Sequence, residues 1–344
     1  MKRKFTLFML GILVCLSSSY AEKWRVNNNN GADADFTTFQ EAVDGASAMD
    51  TLYFEGSPAS YGEDVTLNKP LVIIGPGYFL TDNENTQANP LTAHLLGLNI
   101  SSTGKGTIIM GMTIGDPDYS TARNDLTLNA DDLYVYRCHI RGSVYFAKTQ
   151  DVKNIAISGC FIEENIERTT SGDITTSAII SHNIIEDGIY FTSGSTLLID
   201  GNTVRFDINV EDSEIINNIQ YYNGSSDGIW NNGNIVKNNI IVGDKCPNDA
   251  GASNNITGVD PATLFIDYPD PSDGASRDGR YRLAEASPAK AAGIEGIDCG
   301  AFGGNDPYVL SGLPPAPHIY DAIIPASGDD VNGLPVTVKI ELQQ

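Results

Sequence analysis

The middle of the chain repeats a short pattern, in which alternating apolar residues are followed by a small or polar residue and a further apolar pair. These small or polar residues, which we call anchors, are Met112, Cys138, Cys160, Asn183, Asn202, Asn218 and Asn239. Successive anchors are 26, 22, 23, 19, 16 and 21 residues apart, with a mean of about 21. Three short strands and three turns use about 20 residues, and one such coil cannot bury its own apolar side. The repeat therefore predicts a solenoid of stacked β coils.

Other solenoids with similar periods do not fit the residues. Leucine-rich repeats need a Leu-x-x-Leu-x-Leu frame, which is missing, and helical repeats need a 3.6-residue apolar period that the Asn-, Gly-, Ile- and Thr-rich coils lack. In a stack of β coils, asparagine amides at one register can hydrogen-bond to each other and to turn backbone groups. We therefore expect Asn183, Asn202, Asn218 and Asn239 to stack in register, with the neighbouring Ile or Val side chains in the core.

The cysteines leave two readings open. Cys138 and Cys160 share the anchor register and should be neighbours in the stack, either as buried free thiols or as a disulfide. Cys246 and Cys299 complete the set that follows the export signal described below. None of the four forms a C-x-x-C pair, so a zinc or thioredoxin-like site has no support.

Both ends of the repeat have their own signals. Thr37 to Gln40 has the spacing of a capping box, and an i, i+3, i+4, i+7 apolar pattern follows, so a short helix should cover the open first end. Residues 50–54, 64–67 and 70–75 read as strands. At the other end, a Pro-rich linker should lead to a half-buried strand over 336–342, which docks on the solenoid's flank or pairs with residues near 319–324.

The first end resembles the opening of pectin-lyase-like β-helix proteins, through the runs Phe36–Ala42, Asp50–Phe54 and Leu67–Gly75. Residues 281–303 look like the closing segment of secreted bacterial β-helix proteins. The resemblance covers about residues 24–305 and implies a right-handed parallel β-helix, an all-β fold. We expect a signal peptide over 1–21, the capped β-helix over 22–304, and the linker with its β segment over 305–344. The superfamily includes lyases, hydrolases, adhesins and surface proteins, so the resemblance implies no one activity.

The first residues predict export. A basic start at residues 2–4, an apolar run over 5–16 and small residues ending at Ala21 form a signal peptide, with lipidation of Cys15 the less favoured alternative because of Val14. Cleavage after Ala21 removes three cations and no acids, which lowers the net charge from −23 to −26. Such a charge disfavours nucleic acid and anionic membranes. We expect a secreted or cell-surface bacterial protein that does not span a membrane, is a monomer and has a polysaccharide or glycan partner.

Known catalytic signatures of the superfamily are absent. Asp131 and Asp132 match one element of the polygalacturonase set, but the other elements are missing. His94, His139, His182 and His318 lie in no nucleophile context, and we expect His139 and His182 at the surface in turns or strands.

The resemblance implies a ligand groove along the strand that follows each anchor turn. Seven residues after an anchor lie Tyr145, Tyr190 and Asn209, and longer turns would add Thr175 and Trp230 to this outward row. A line of exposed aromatic rings suits stacking on sugar rings, and we predict that Tyr145, Tyr190, Asn209 and Trp230 bind carbohydrate.

Acidic residues flank this row and leave three function classes open. Glu186 and Asp187 are candidate catalytic carboxylates, with Arg141 and Arg205 as the nearest cations. Glu163, Glu164 and Glu167 are candidate Ca²⁺ ligands. The chain is then a carbohydrate-binding surface protein, a polysaccharide lyase or glycoside hydrolase, or a structural or adhesive surface protein.

Overall fold

A computed structural model describes most of the chain. The described residues are 21–115, 125–168, 174–192, 194–224, 227–230, 233–245, 252–267 and 276–343. All but the last residue of the predicted signal peptide lies outside these ranges, and so does Cys246. Within them, no helix is long and apolar enough to cross a bilayer.

The chain forms a right-handed parallel β-helix, as predicted, in which three parallel sheets run the length of the solenoid. The eleven-stranded sheet contains Lys23–Val26, Thr51–Phe54, Val72–Ile74, Ile108–Met110, Tyr134–Tyr136, Val152–Ser158, Thr176–Ser181, Ser195–Asp200, Glu214–Ile216, Ile235–Lys237 and Ala252–Ser253. The nine-stranded sheet contains His94–Leu95, Thr113–Ile114, His139–Ile140, Phe161–Ile162, Ile184–Ile185, Thr203–Val204, Ile219–Gln220, Ile240–Ile241 and Ile256–Thr257. The seven-stranded sheet contains Val65–Leu67, Leu98–Ile100, Leu126–Leu128, Val144–Phe146, Ile166–Arg168, Ile189–Phe191 and Ile208–Asn209.

From Ile108–Met110 onwards, eight coils pass from the eleven-stranded sheet to the nine-stranded sheet through a two-residue corner. The first corner residue has a φ between +50° and +66°; this position is occupied by Gly111, Arg137, Gly159, His182, Gly201, Asn217, Asn238 and Asn254. Glycine enters this left-handed region freely, and asparagine and histidine tolerate it better than most residues. The corner geometry therefore explains why glycine or asparagine so often precedes an anchor.

The second corner residue is the anchor, and the asparagine anchors form a buried ladder, as predicted. The side-chain oxygen of Asn202 accepts hydrogen bonds from the backbone N–H of Asn183 at 3.0 Å and from its side-chain amide at 2.9 Å. Asn218 accepts the same two bonds from Asn202, and Asn239 accepts them from Asn218. The structure adds one rung that the sequence analysis missed, because Asn239 donates in the same way to Asn255.

Two earlier anchors, Cys138 and Cys160, extend the ladder with thiol groups in place of amides. Cys138 and Cys160 are free, fully buried thiols, and the backbone N–H of Cys138 donates to the Sγ of Cys160 at 3.4 Å. The backbone N–H of Cys160 donates in turn to Asn183. Of the two predicted alternatives, free thiols or a disulfide, the structure therefore contains the free thiols. Cys299 is also a buried free thiol.

A helix at Phe39–Gly45 covers the first end of the solenoid, and the side chains of Phe39, Ala42 and Val43 are buried in the core. Its capping box is formed by Thr38 and Glu41. The predicted box, which began at Thr37, was wrong by one residue, since both alternatives have the same spacing. The helix is followed by strands close to those predicted.

Residues 276–316, which we call the strap, run back along the corners towards the first coils. The backbone N–H of Ala301 donates to Thr203, and the guanidinium of Arg137 donates to the carbonyl of Leu313 at 2.8 Å. The hydroxyls of Tyr308 and Tyr78 are 2.7 Å apart, although the two residues are 230 positions apart in the chain. The described part of the strap contains only short 3₁₀ turns, at Gly279–Tyr281, Ile294–Gly296 and Leu310–Gly312. Two further 3₁₀ turns lie before it, at Ser102–Gly104 and Pro261–Thr263.

The strap covers the outer face of the nine-stranded sheet. Phe161, Ile184, Ile219 and Ile240 belong to a second apolar cluster, which the strap residues Tyr281, Ala289, Cys299, Ala301 and Tyr308 complete. The Pro-rich residues after 304, which we expected to be a linker, begin with this packed stretch: Tyr308 and Leu313 are buried.

The chain ends in a two-stranded antiparallel hairpin. Pro317–Ile323 pairs with Thr337–Leu342, which confirms the predicted pairing of the last strand with residues near 319–324. The last strand is not half-buried, however, since all six of its residues are exposed.

We predict that Asn202→Leu lowers the free energy of unfolding by about 2–3 kcal/mol, because it leaves the buried N–H of Asn183 without its acceptor. The matched control is Thr196→Leu, which changes an exposed residue on the eleven-stranded sheet. Urea unfolding followed by circular dichroism measures both. Equal midpoints for the two variants would show that the ladder does not stabilise the stack.

Candidate ligand groove

The outer face of the seven-stranded sheet carries the predicted row. Parallel pairing places Tyr145, Glu167, Tyr190 and Asn209 at equivalent positions in successive coils. An isolated bridge between Ile208 and Ile229 places Trp230 beside Asn209 at the end of the row.

The prediction for Thr175 was wrong. It precedes Thr176–Ser181, a strand of the eleven-stranded sheet, and Glu167 occupies its expected place in the row. The row is therefore Tyr, Glu, Tyr, Asn and Trp, and all five side chains are partly exposed.

Lysine side chains accompany the two aromatic residues at the ends of the row. The ammonium of Lys148 lies 5.0 Å from the ring centre of Tyr145, and that of Lys245 lies 5.0 Å from the ring of Trp230. The sequence analysis had assigned Arg141 and Arg205 as the nearest cations and missed both lysines. Each ammonium covers one face of its ring by a cation–π contact.

Tyr190 lies flat at the centre of the row because the residue two positions before it is glycine. A Cβ added to Gly188 would come within 2.5 Å of the Tyr190 hydroxyl and 2.6 Å of its ring. The ring therefore packs against backbone along its own strand. Burial raises the pKa of the Tyr190 phenol well above its ordinary value, so the residue is a neutral hydrogen-bonding group at physiological pH.

A line of carboxyl groups borders the row. Burial raises the pKa of Asp125, Asp187 and Asp207, and the neighbouring Glu164 raises that of Asp187 further. The carboxylate of Asp207 accepts the backbone N–H of Gly228 at 3.0 Å. At a given pH, a larger fraction of these carboxyl groups is therefore protonated than of solvated carboxyl groups.

The end of the row contains an unsatisfied polar atom. The indole N–H of Trp230 is buried and has no hydrogen-bond partner among the described residues. It lies close enough to Asp207 to favour the charged form of that carboxyl, although the geometry falls short of a hydrogen bond.

Arg205 belongs to an aromatic cluster on the rim. Its guanidinium lies 4.9 Å from the ring centre of Phe206 and 5.7 Å from that of Tyr222. The two rings meet edge to face at 4.8 Å. Arg141 lies elsewhere, since its charge acts on His139 beside the nine-stranded sheet. The two predicted cations therefore do not share one site.

Glu186 and Glu163 belong to an ion network between the coils and the strap. Arg277 bridges them, with nitrogen–oxygen distances of 3.0 Å to each. Arg280 and the hydroxyl of Tyr281 also contact Glu186. These interactions fix the carboxylates as structural groups under the strap, with side chains 3% exposed for Glu163 and 14% for Glu186.

The same network corrects the prediction for His139. Its side chain is buried and its Nε2 lies 2.7 Å from Glu163, so it is not a surface residue. Burial lowers its pKa, although Glu163 opposes this. His182 lies in a corner turn, as expected, but it is only partly exposed and lies against Gly304 of the strap.

This arrangement separates the two candidate catalytic carboxylates from each other, and it also separates the three candidate Ca²⁺ ligands. Glu186 contacts the strap, whereas Asp187 interacts with Glu164, Arg205 and Asp207. Among the candidate Ca²⁺ ligands, Glu163 binds His139 and Arg277, Glu164 accepts the Ser143 hydroxyl, and Glu167 lies in the row. Throughout the described ranges, no three His, Cys, Asp or Glu side chains are grouped as a metal site. Glu163, Glu164 and Glu167 therefore do not converge on one Ca²⁺ centre.

A concave surface lies on the eleven-stranded sheet. This groove has a volume of about 710 Å³, and its apolar lining includes Ala156, Ile179, Leu198 and Ile235. Ile179 and Ile235 are 48% and 43% exposed. The sequence analysis did not identify it, because it concentrated on the strand after each anchor.

We predict that Glu186→Gln lowers the free energy of unfolding by about 2 kcal/mol, because it leaves two arginines short of a charged partner. The cost is below that of a fully buried pair, since Arg277 is 36% exposed. Asp187→Asn is the matched control and should cost less, because burial already disfavours its charge. Thermal and urea unfolding measure both; a larger loss for Asp187→Asn would contradict these assignments.

Comparison with known proteins gives one short similarity. No protein-family model matches the chain. Over 90 residues, the chain is 32% identical to a protein of Methanothermus fervidus named "Cell surface glycoprotein". That match covers 26% of this chain and 15% of the other protein. The chain is thus similar, over about a quarter of its length, to a small part of a cell surface glycoprotein.

Proposed function

We propose that this protein is exported, stands at the cell surface or outside it, and binds carbohydrate along the outer face of the seven-stranded sheet. The observation that carries the proposal is the register of that sheet, which places Tyr145, Glu167, Tyr190, Asn209 and Trp230 at equivalent positions in five successive coils. The similarity to a protein named for the cell surface supports the location.

The chemistry of the groove favours neutral or basic sugars. Partly exposed rings can stack on the apolar C–H faces of sugars, while Asn209 and the neighbouring carboxyl groups can hydrogen-bond to hydroxyls. Carboxyl groups and a strongly negative chain would repel uronates and sulfated sugars. The rim cluster at Arg205 would extend the platform sideways.

We expect Tyr190→Ala and Trp230→Ala to weaken retention on neutral glycans by about tenfold or more, with little change in melting temperature, because each removes a stacking ring from a partly exposed site. Gly188→Ala should have the same effect without removing any ring, since the new methyl group displaces Tyr190. Affinity electrophoresis on a panel of neutral polysaccharides measures retention.

Tyr134→Ala provides the matched control. Tyr134 is a partly exposed aromatic residue on the eleven-stranded sheet, remote from the row in the coil. Equal retention of all variants on every glycan tested would refute the proposed platform. If Tyr134→Ala also weakened retention, the glycan would bind to another surface of the protein.

A glycoside hydrolase is the second candidate, supported by Asp187. Its raised pKa and the nearby Glu164 resemble the unequal carboxyl pair that such enzymes use as acid and base or nucleophile. The two residues come from adjacent coils, and coils are about 4.8 Å apart. They follow paired positions, because Ile162 lies opposite Ile185 in the nine-stranded sheet.

If this candidate is right, the protein releases reducing sugar from a neutral glycan, and Asp187→Asn abolishes release while retention persists. The Glu186→Gln variant is the comparison, and its folded fraction should still release reducing sugar. A lyase would instead form an unsaturated, ultraviolet-absorbing uronate product. If neither product formed with any glycan of the panel, both enzyme hypotheses would be rejected. Carbohydrate binding and a structural or adhesive role would remain.

A further inference from the structure

The C-terminal hairpin has one apolar face and one polar face. Residues directly opposite each other in an antiparallel pair point to the same face. Three pairs form the apolar face: Pro317–Leu342, Ile319–Ile340 and Ala322–Val338. The side chains of the last strand on this face are 47%, 61% and 56% exposed, at Val338, Ile340 and Leu342. Ile319, which is 42% exposed, belongs to the same face, whereas Ile323, which is 59% exposed, lies on the other face opposite Thr337.

The polar face carries charges in a fixed order. His318 lies opposite Glu341, and Asp321 lies opposite Lys339. The Lys339 ammonium is 2.8 Å from the Asp321 carboxylate. All of these side chains except His318 remain at least partly exposed, so they can meet a further strand.

The two edges of the hairpin differ. The first strand is attached to the solenoid, since the carbonyl of Ile319 accepts the N–H of Ala88 at 2.7 Å and His318 contacts the carbonyl of Asn85. The outer edge of Thr337–Leu342 makes no backbone hydrogen bond to any described residue. An uncovered strand edge readily accepts another strand, and a two-stranded ribbon alone is only marginally stable.

This free edge is complementary to itself in one register. If two copies pair antiparallel about Ile340, Val338 of each copy lies opposite Leu342 of the other, and the apolar faces continue across four strands. The same register sets Lys339 of each copy opposite Glu341 of the other, which gives two opposite-charge pairs. Centring on Lys339 or Glu341 would instead oppose like charges. A one-residue slip would join polar to apolar faces.

We propose that the outer edge of this hairpin pairs with the same edge of a second copy, giving a twofold-symmetric, four-stranded sheet. This replaces the monomer expected from the sequence and does not depend on the carbohydrate proposal. Six residues on each edge bury less surface than the about 1,200–2,000 Å² of stable interfaces. The dimer is therefore weak and reversible.

Two charge reversals test the pairing. Lys339→Glu and Glu341→Lys each place like charges opposite each other twice in the dimer, so each variant alone should self-associate about tenfold more weakly than the native chain. An equimolar mixture should associate as well as the native chain, because each variant's charges complement the other's. Sedimentation velocity over a concentration series, with one partner fluorescently labelled, measures all three.

Two controls distinguish pairing at this edge from changes in folding stability and from a general effect of charge on association. Lys339→Glu also removes the exposed ion pair with Asp321, which contributes little to folding, and unchanged melting temperatures verify this. Glu214→Lys makes the same charge change on an exposed residue of the eleven-stranded sheet and should leave association unaltered. A native chain that is monomeric at its highest soluble concentration would overturn the proposal. So would a dimer that persists equally in both variants and in their mixture.

Discussion

Buried side-chain amides at the corner between two sheets hold the solenoid together. The corner turns the backbone sharply inside the protein, where its N–H and carbonyl groups cannot reach water. Each asparagine accepts the N–H of the preceding rung and donates to backbone carbonyls, as Asn202 does to Ile180. Every rung thus fixes the height of the next coil. Two strands of the seven-stranded sheet, Ile189–Phe191 with Tyr190 and Ile208–Asn209 with Asn209, lie in coils that this ladder holds in register.

The coils could be predicted because their signal is local. A left-handed residue, an anchor and an apolar pair lie within four positions, so Asn183 and Asn202 stand out in the sequence. The position of the helix cap was ambiguous by one residue, because Thr37 and Thr38 offer the same spacing. Asn255 was missed although Asn254 before it and Ile256 after it repeat the pattern of Asn217, Asn218 and Ile219.

The site was only partly predictable because the strap decides which acids remain available. Glu186 and Asp187 are neighbours in sequence, yet Arg280 contacts the first from 94 positions away. No local pattern marks such a contact. The lysines beside Tyr145 and Trp230 escaped notice for a related reason: side-chain direction in long turns follows packing, which spacing alone does not reveal.

The strap changes how a repetitive protein can come apart. A simple array of repeats is stabilised by nearest neighbours, so its terminal coils can fray independently of the middle. Here the Tyr78–Tyr308 hydrogen bond joins an early coil to a segment that follows the last one. Opening either end must detach the strap, which couples local fraying to global unfolding. Because these contacts join residues far apart in the sequence, we expect them to form after the local contacts between neighbouring coils.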